Sequence, residues 1–229
     1  MQGNRSAFGA GDFQGAINLY DQAASIYRNL GMPVMEANSQ IGKVFCLANL
    51  ERFDEAIKCG LKSQEVFRVH DETLRFAKIT TNLGILLGRK GHDAEALDNF
   101  ELARDAYKKL GEPGRPYIAR LEINRAVALR NLGRFEDSIA ASENALAILS
   151  CIEASIDIAR AKQSLAITYL LLTRFNEALQ LLFEVREAFL ADDRLRDAMR
   201  TELFINDCQL ELGRYEDVLQ SCTDIRAKF

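Results

Sequence analysis

The chain has 229 residues, 48% of them hydrophobic and 27% charged, which is the balance of a folded protein. Its net charge of −4 argues against binding nucleic acid through bulk attraction to phosphate. No apolar run approaches the ~20 residues that span a bilayer, and the N-terminus lacks a signal-peptide pattern. Because the chain holds only three prolines, we expect an all-α protein. The lack of a spanning segment and of a signal pattern favours the cytoplasm.

Six segments of the chain share one pattern and follow one another at a nearly constant spacing. The intervals between their first residues are 40, 40, 42, 40 and 40. Those first residues are Gly11, Glu51, Gly91, Gly133, Thr173 and Gly213. A period this regular is typical of a solenoid of stacked supersecondary units.

Each segment reads as a helix that packs closely on its neighbours. An aromatic residue stands two positions after the start in five of the six segments, and Asp93 replaces it in the third. Three positions later a small residue lets two helices approach closely. These positions hold Ala16, Ala56, Ala96, Ser138, Ala178 and Val218. A second apolar helical pattern lies upstream of most segments, so each unit is predicted to contain a first and a second helix.

The loops between the predicted helices are short, which requires antiparallel neighbours. We therefore predict about eleven helices of roughly 14–20 residues, stacked into a right-handed superhelical solenoid. The six predicted units span approximately residues 1–31, 32–70, 71–111, 112–151, 152–192 and 193–229.

The small and aromatic positions, together with Leu83-Gly84, resemble the tetratricopeptide repeat family. The resemblance covers the whole chain and implies helix–turn–helix units, although the family's usual period is roughly 34 residues. Longer units of this kind resemble those of kinesin light chains, of Leu-Gly-Asn polarity adaptors and of bacterial signalling proteins with CHAT domains or STAND-type ATPase modules. The segments IYRNLG, AYKKLGEP and NLGRFEDSI look most like the bacterial group.

The two ends of the sequence lack the features of a capped solenoid. Too few residues precede Gly11 for a complete first helix, and the last unit stops at Phe229 without a polar capping helix. We therefore expect a single array over residues 1–229 that is a piece of a longer chain. Oligomerisation through the uncapped end repeats is the alternative.

No set of residues is typical of an active site. The five cysteines and two histidines show no metal-ligand spacing. Gly84 and Gly88 are interpreted as close-packing residues within a helix, and acidic pairs such as Asp54-Glu55 as residues that complement a helix dipole. We expect no catalytic residue, no metal site and no cofactor.

The concave surface lined by the first helices is the predicted binding groove. Its floor is expected to be apolar, because extended apolar patches mark interaction sites. The apolar candidates are Ile41, Phe45, Ile85, Ile123, Val127 and Ile167. Burial of part of this row by the superhelix itself is the competing interpretation.

A basic row is predicted along one edge of the groove, at Lys78, Arg120, Arg160 and Arg200. It favours an acidic peptide or an acidic domain surface, unless each cation pairs with an acid from a neighbouring helix. Asn82 and Asn124 stand on adjacent units, with Ser164 following in register. Kinesin light chains and the polarity adaptors use asparagine ladders to hold a peptide backbone, so the resemblance implies that role for Asn82 and Asn124.

The favoured function is a protein-interaction scaffold that binds a peptide, a helix or a partner domain, including another domain of the same protein. The alternative is a ligand-sensing regulatory domain that controls an attached protease, ATPase or transcription module. Neither function requires nucleic acid or a membrane.

Overall fold

The computed structural model describes residues 12–152 and 154–228, with side chains up to residue 223. That part of the chain forms eleven α-helices of 14 to 17 residues and no strand. The helices are α1 (Phe13–Asn29), α2 (Pro33–Asn49), α3 (Phe53–Val69), α4 (Thr73–Arg89), α5 (Asp93–Lys108), α6 (Arg115–Asn131), α7 (Phe135–Leu149), α8 (Ser155–Leu171), α9 (Phe175–Ala191), α10 (Leu195–Glu211) and α11 (Tyr215–Lys228). The prediction of an all-α repeat fold with about eleven helices is confirmed. None of these helices is long and apolar enough to cross a membrane.

The chain divides into two compact units, Met1–Arg115 and Pro116–Phe229. Within each unit, consecutive helices pack against each other. First helices alternate with second helices along the chain. The first helices are α2, α4, α6, α8 and α10, and the second helices are α1, α3, α5, α7, α9 and α11.

Most junctions between helices are closed by one residue in the left-handed backbone region. Between α2 and α3, Glu51 has a φ of 59°. The Arg52 amide donates to the Leu47 carbonyl at 3.0 Å, and the Arg52 carbonyl accepts from the Ala56 amide at 3.0 Å. Arg52 therefore ends one helix and begins the next. The left-handed residues are Gly31, Glu51, Asp71, Gly91, Gly111, Gly133, Thr173, Asp193 and Gly213.

These positions include five of the six predicted turns, and Gly11 lies outside the described residues. The same turn follows first helices and second helices alike. It therefore recurs at half the interval of the sequence repeat. The single 42-residue interval has a local cause in a short 3-10 helix, Glu112–Gly114, that precedes α6. A Cβ on Gly114 would stand 2.0 Å from the Tyr107 carbonyl oxygen, so only glycine fits there.

The small positions of the second helices are the places of closest packing. Ala16, Ala56, Ala96, Ser138 and Ala178 are all buried, and Val218 is half-buried. The interpretation of Gly84 as a packing residue is correct, since a Cβ there would stand 2.6 Å from Cε1 of Phe100. Helix pairs in this chain therefore depend on the absence of side-chain volume at fixed positions.

Charged residues stabilise the starts of the second helices. Arg52, Arg134 and Arg174 stand at N-cap positions and each pairs with the acid three residues later. The Arg52 hydrogen bond lowers the pKa of the Glu55 carboxyl. The acidic pairs thus complement the helix dipole, as the sequence indicates. One acid of each such helix also pairs with the arginine at its N-cap.

The small positions generate a test of the packing. Ala178→Leu should lower the free energy of unfolding by about 1–3 kcal/mol, because the added methyl groups overpack a site without free volume. Ala140 is exposed on α7, so Ala140→Leu should have little effect. Chemical denaturation of both variants measures the difference. Equal losses would contradict the assigned packing.

The junctions generate a second test, because threonine is strained at φ 60°. Thr173→Gly should raise the free energy of unfolding by about 1 kcal/mol, since glycine adopts this region without steric cost. The reverse change at an equivalent junction, Gly133→Thr, should lower it by about the same amount. Thermal melts of both variants against the parent chain check the opposite signs.

Candidate functional site

One face of each first helix carries a stripe of side chains that are exposed or half-buried. The stripe contains the sixth, ninth and thirteenth residues of the helix, which lie on one side at helical spacing. We call it the exposed stripe. Its members on α6, α8 and α10 are Arg120, Ile123, Val127, Arg160, Gln163, Ile167, Arg200, Leu203 and Asp207. The equivalents on α2 and α4 are Asn38, Ile41, Phe45, Lys78, Thr81 and Ile85.

In the first unit, the exposed stripe runs over α2 and α4. Phe45 is 51% exposed, and its ring meets the Phe13 ring edge-on with centroids 6.3 Å apart. Ile41, Lys78 and Ile85 are half-buried. Asn82, beside the stripe, is half-buried as well. This unit therefore offers one accessible aromatic ring beside partly covered aliphatic and polar groups.

In the second unit, the apolar members differ in accessibility. Leu203 is 61% exposed and Val127 is 38% exposed. Ile123 and Ile167 are half-buried, and Ile123 packs against the core cluster around Ala119 and Ala145. Both sequence interpretations of the apolar row therefore apply in part, because some members support the fold and others remain available.

The arginines of the second unit converge on a buried carboxylate. Arg120 Nε donates to Oδ2 of Asp157 at 2.6 Å, and a guanidinium nitrogen of Arg160 lies 3.7 Å from Oδ1. The Asp157 side chain is 9% exposed, whereas those of Arg120 and Arg160 are 58% and 48% exposed. Two cations thus share one acid and still face solvent. Arg200 is exposed at the same register on α10.

Sequence reasoning did not identify Asp157. It stands three residues before Arg160, a spacing that suggests a pair within one helix. The shorter contact is with Arg120, 37 residues away. That contact could have been inferred only from the register of neighbouring repeats.

The polar candidates are partly engaged in hydrogen bonds within the fold, either in their own helix or with a neighbouring one. The Asn124 amide donates to the Arg120 carbonyl at 3.0 Å, and Gln163 donates to Thr201 Oγ1 at 2.9 Å. Ser164 is buried, so it does not extend the ladder of Asn82 and Asn124. The backbone-holding groups implied by the resemblance are therefore limited to the two asparagines.

A cleft of about 640 Å³ lies in the first unit, on a face that the sequence did not single out. It is lined by apolar and polar side chains of α1, α2 and α3, the polar ones including Gln40, Lys58, Cys59 and Lys62. Cys59 Sγ lies 3.3 Å from Oε1 of Gln40. Its lining comes from three helices, which explains why no single segment of sequence indicates it.

The inward-facing cysteines are weak nucleophiles. Burial raises the pKa of the Cys46 and Cys59 thiols, and it raises the pKa of Cys208 to about 11. A thiol with a raised pKa is protonated at neutral pH and reacts slowly. All five cysteines are free, and Cys151 and Cys222 are exposed.

The shared carboxylate generates a stability test. Asp157→Asn should lower the free energy of unfolding by about 1 kcal/mol, because both guanidiniums lose their charged partner. The matched control is Asp137→Asn, whose carboxylate pairs with Arg134 on the surface with both side chains about half exposed. Asp137→Asn should lower the free energy of unfolding by less than Asp157→Asn does. Denaturant titrations of the two variants compare the losses, and equal losses would contradict a special role for Asp157.

Comparison with known proteins supports the repeat assignment. Residues 35–109 match the tetratricopeptide repeat family model. BtubC (BKLC) from P. vanneervenii has a similar fold, with a TM-score of 0.76 at 14% identity over 95% of this chain and 92% of that chain. A putative kinesin light chain from Podosopora anserina has a TM-score of 0.67 at 18% identity over 83% of this chain and 92% of that chain. No curated protein sequence is significantly similar to this chain.

A third similar structure is a Rap protein complexed with Competence and Sporulation Factor. Its TM-score is 0.64 at 14% identity, and the match covers 91% of this chain and 62% of that chain. The chain thus spans about three fifths of the Rap protein. At identities this low, the structural similarity establishes a shared fold alone.

Proposed function

We propose that this chain, whose residues 35–109 are tetratricopeptide repeats, is a protein-interaction scaffold that binds an acidic peptide segment along the exposed stripe of α6, α8 and α10. The main observation in support is that accessible apolar and basic groups lie on the same three helices. Val127 and Leu203 supply apolar anchors, while Arg160 and Arg200 supply positive charge. A binding surface of this composition recognises both hydrophobic and acidic character in a partner.

The charge balance supports an anionic partner. Three arginines occupy the same register on α6, α8 and α10, and Asp157 pairs with two of them. The next acid in register, Asp197, pairs with Arg194 instead, at 2.9 Å. The three arginines outnumber Asp157 and the exposed Asp207 of the same stripe, so the stripe retains positive charge that a carboxylate of a partner can neutralise. The Rap protein, which is complexed with a factor, is consistent with binding by this fold.

The asparagines would contribute orientation rather than affinity. An amide side chain offers a donor and an acceptor, so it can hold an extended backbone irrespective of sequence. Asn124 lies beside Ile123 on α6. In the first unit, Asn82 lies between Lys78 and Ile85 on α4 and would have the same role for a segment bound there. The specificity of the scaffold then rests on the apolar and basic groups.

Arg200→Glu tests this function directly. Two short synthetic peptides with the same leucine anchors, one flanked by glutamates and one by lysines, should bind with preference for the acidic peptide. The substitution should slow association of the acidic peptide about tenfold and weaken its salt dependence, because long-range attraction is lost. Surface plasmon resonance at two salt concentrations measures both effects.

Asp157→Asn is the complementary variant in the same assay. It releases two guanidiniums, so binding of the acidic peptide should strengthen even though the fold is weakened. Lys108→Glu on α5 is the control for nonspecific charge effects, since Lys108 is exposed and lies outside the stripe. Equal binding of the two peptides, or no binding by either, contradicts the proposal.

The second candidate function, sensing of a small effector, is favoured by the cleft in the first unit. Its volume of about 640 Å³ lies in the range of small-molecule sites. A STAND protein with a tetratricopeptide repeat sensor, from Pyrococcus horikoshii, has a similar fold, with a TM-score of 0.72 at 15% identity over 85% of this chain and 30% of that chain. An effector in the cleft would raise the melting temperature of the parent chain but not of Lys58→Glu/Lys62→Glu. A metabolite screen by thermal shift distinguishes this function from peptide binding.

A further inference from the structure

Arg130 is a half-buried cation near the C-terminal end of α6, about one helical turn after Val127 of the exposed stripe. Its guanidinium reaches α8, where Nη1 donates to the Ser164 carbonyl at 3.3 Å. Burial lowers the pKa of the Arg130 guanidinium, because the charged form loses hydration. Arg130 therefore holds a positive charge between two helices of the proposed peptide surface.

Arg130 differs from the other half-buried arginines because it has no carboxylate partner among the described side chains. Each of the others forms an ion pair with an aspartate or a glutamate. These paired residues are Arg52, Arg75, Arg104, Arg125, Arg186 and Arg194. A half-buried cation without an acid has lost part of its hydration and gained no opposite charge in return.

Packing of the repeat does not require a cation at this position. Arg130 is the sixteenth residue of α6, and the sixteenth residues of the other first helices are Ala48, Gly88, Leu170 and Leu210. All four are uncharged, so the other first helices form with no ionic contact at this point. The charge of Arg130 therefore has a role apart from packing.

The hydrogen-bonding capacity around Arg130 is only partly used. The Ser164 carbonyl that accepts from Arg130 also accepts from Thr168 Oγ1 at 3.1 Å. The Ser164 hydroxyl is buried and has no hydrogen-bond partner among the described residues. A guanidinium carries five N–H donors, and within the described part of the chain Arg130 uses one of them. Both charge and donors thus remain for an anion.

We propose that Arg130 is the specificity-determining residue of the peptide surface and binds one carboxylate of the partner segment. This inference rests on the proposed function, because it assigns the acidic preference to a particular contact. One unpaired guanidinium balances one negative charge, and the two planar groups form paired hydrogen bonds. Because Val127 lies one turn away, the partner should carry an aspartate or a glutamate close to an apolar residue.

Arg130→Met in the free protein separates a binding role from a structural one. Methionine fills much of the same space and removes the charge, so the melting temperature should stay the same or rise. Arg125→Met is the matched control on the same helix, because Arg125 is half-buried and pairs with the buried Glu122 at 3.2 Å. It should lower the melting temperature, since a buried carboxylate loses this partner. An equal fall for Arg130→Met would assign Arg130 a structural role and overturn the proposal.

Binding of the leucine-anchored acidic peptide tests the contact itself. Arg130→Met should weaken binding by about tenfold, mainly through faster dissociation, because a desolvated ion pair is lost. Peptides in which one glutamate at a time is replaced by glutamine should reveal one position that matters to the parent chain but not to Arg130→Met. Unchanged affinity of Arg130→Met for the acidic peptide overturns the proposal and leaves the peptide surface itself intact.

An assay without peptide distinguishes failure of the carboxylate site from failure of the peptide surface. Sodium acetate supplies a carboxylate, and sodium chloride at the same concentration is the reference. Acetate should raise the melting temperature of the parent chain more than that of Arg130→Met, and this difference should persist in the Arg200→Glu background. An equal acetate effect with and without Arg130 overturns the carboxylate site. Absence of peptide binding with the acetate difference retained contradicts the peptide surface alone.

Discussion

The rest of the structure depends on the three-residue junction that joins most consecutive helices. One left-handed residue, followed by a residue that both ends one helix and begins the next, reverses the chain within three residues. Helices joined so tightly must lie side by side and antiparallel, so they can pack only if little side-chain volume lies between them. The alanines and serines of the second helices meet that requirement. The turn and the small positions are therefore two parts of one constraint.

That constraint explains why the fold was predictable. Glycine and aromatic residues recur because the turn and its packing require them, and Gly84 could be interpreted from sequence for the same reason. The halved period was less visible, because Asp71 and Asp193 adopt the left-handed conformation that glycine adopts elsewhere. The backbone conformation is repeated at every such junction, whereas the residue type is not. A turn without glycine can therefore be located in the sequence only from its distance to the neighbouring turns.

The candidate site was predictable only to the level of a helix face. The register places Arg120, Arg160 and Arg200 at the same position of successive first helices, because helical spacing fixes which residues share a stripe. Exposure within the stripe depends on neighbouring helices, so Leu203 and Ile123 differ although they occupy the same register position. Asp157 illustrates the remaining difficulty. A buried acid that joins two repeats is evident only when both repeats are folded, and it determines how much positive charge a partner can reach.

The local closure of each junction has a consequence for how such a chain can change during evolution. Most junctions carry their own backbone hydrogen bonds between the end of one helix and the start of the next, so a segment cut at two equivalent junctions carries its own turns with it. Duplication or loss of such a segment would leave the remaining turns intact and preserve the register of the faces on either side. The number of repeats can then vary while the chemistry of each face is inherited unchanged. Recombination at these boundaries would alter the length of a binding surface in whole increments, without an intermediate that must repack its core.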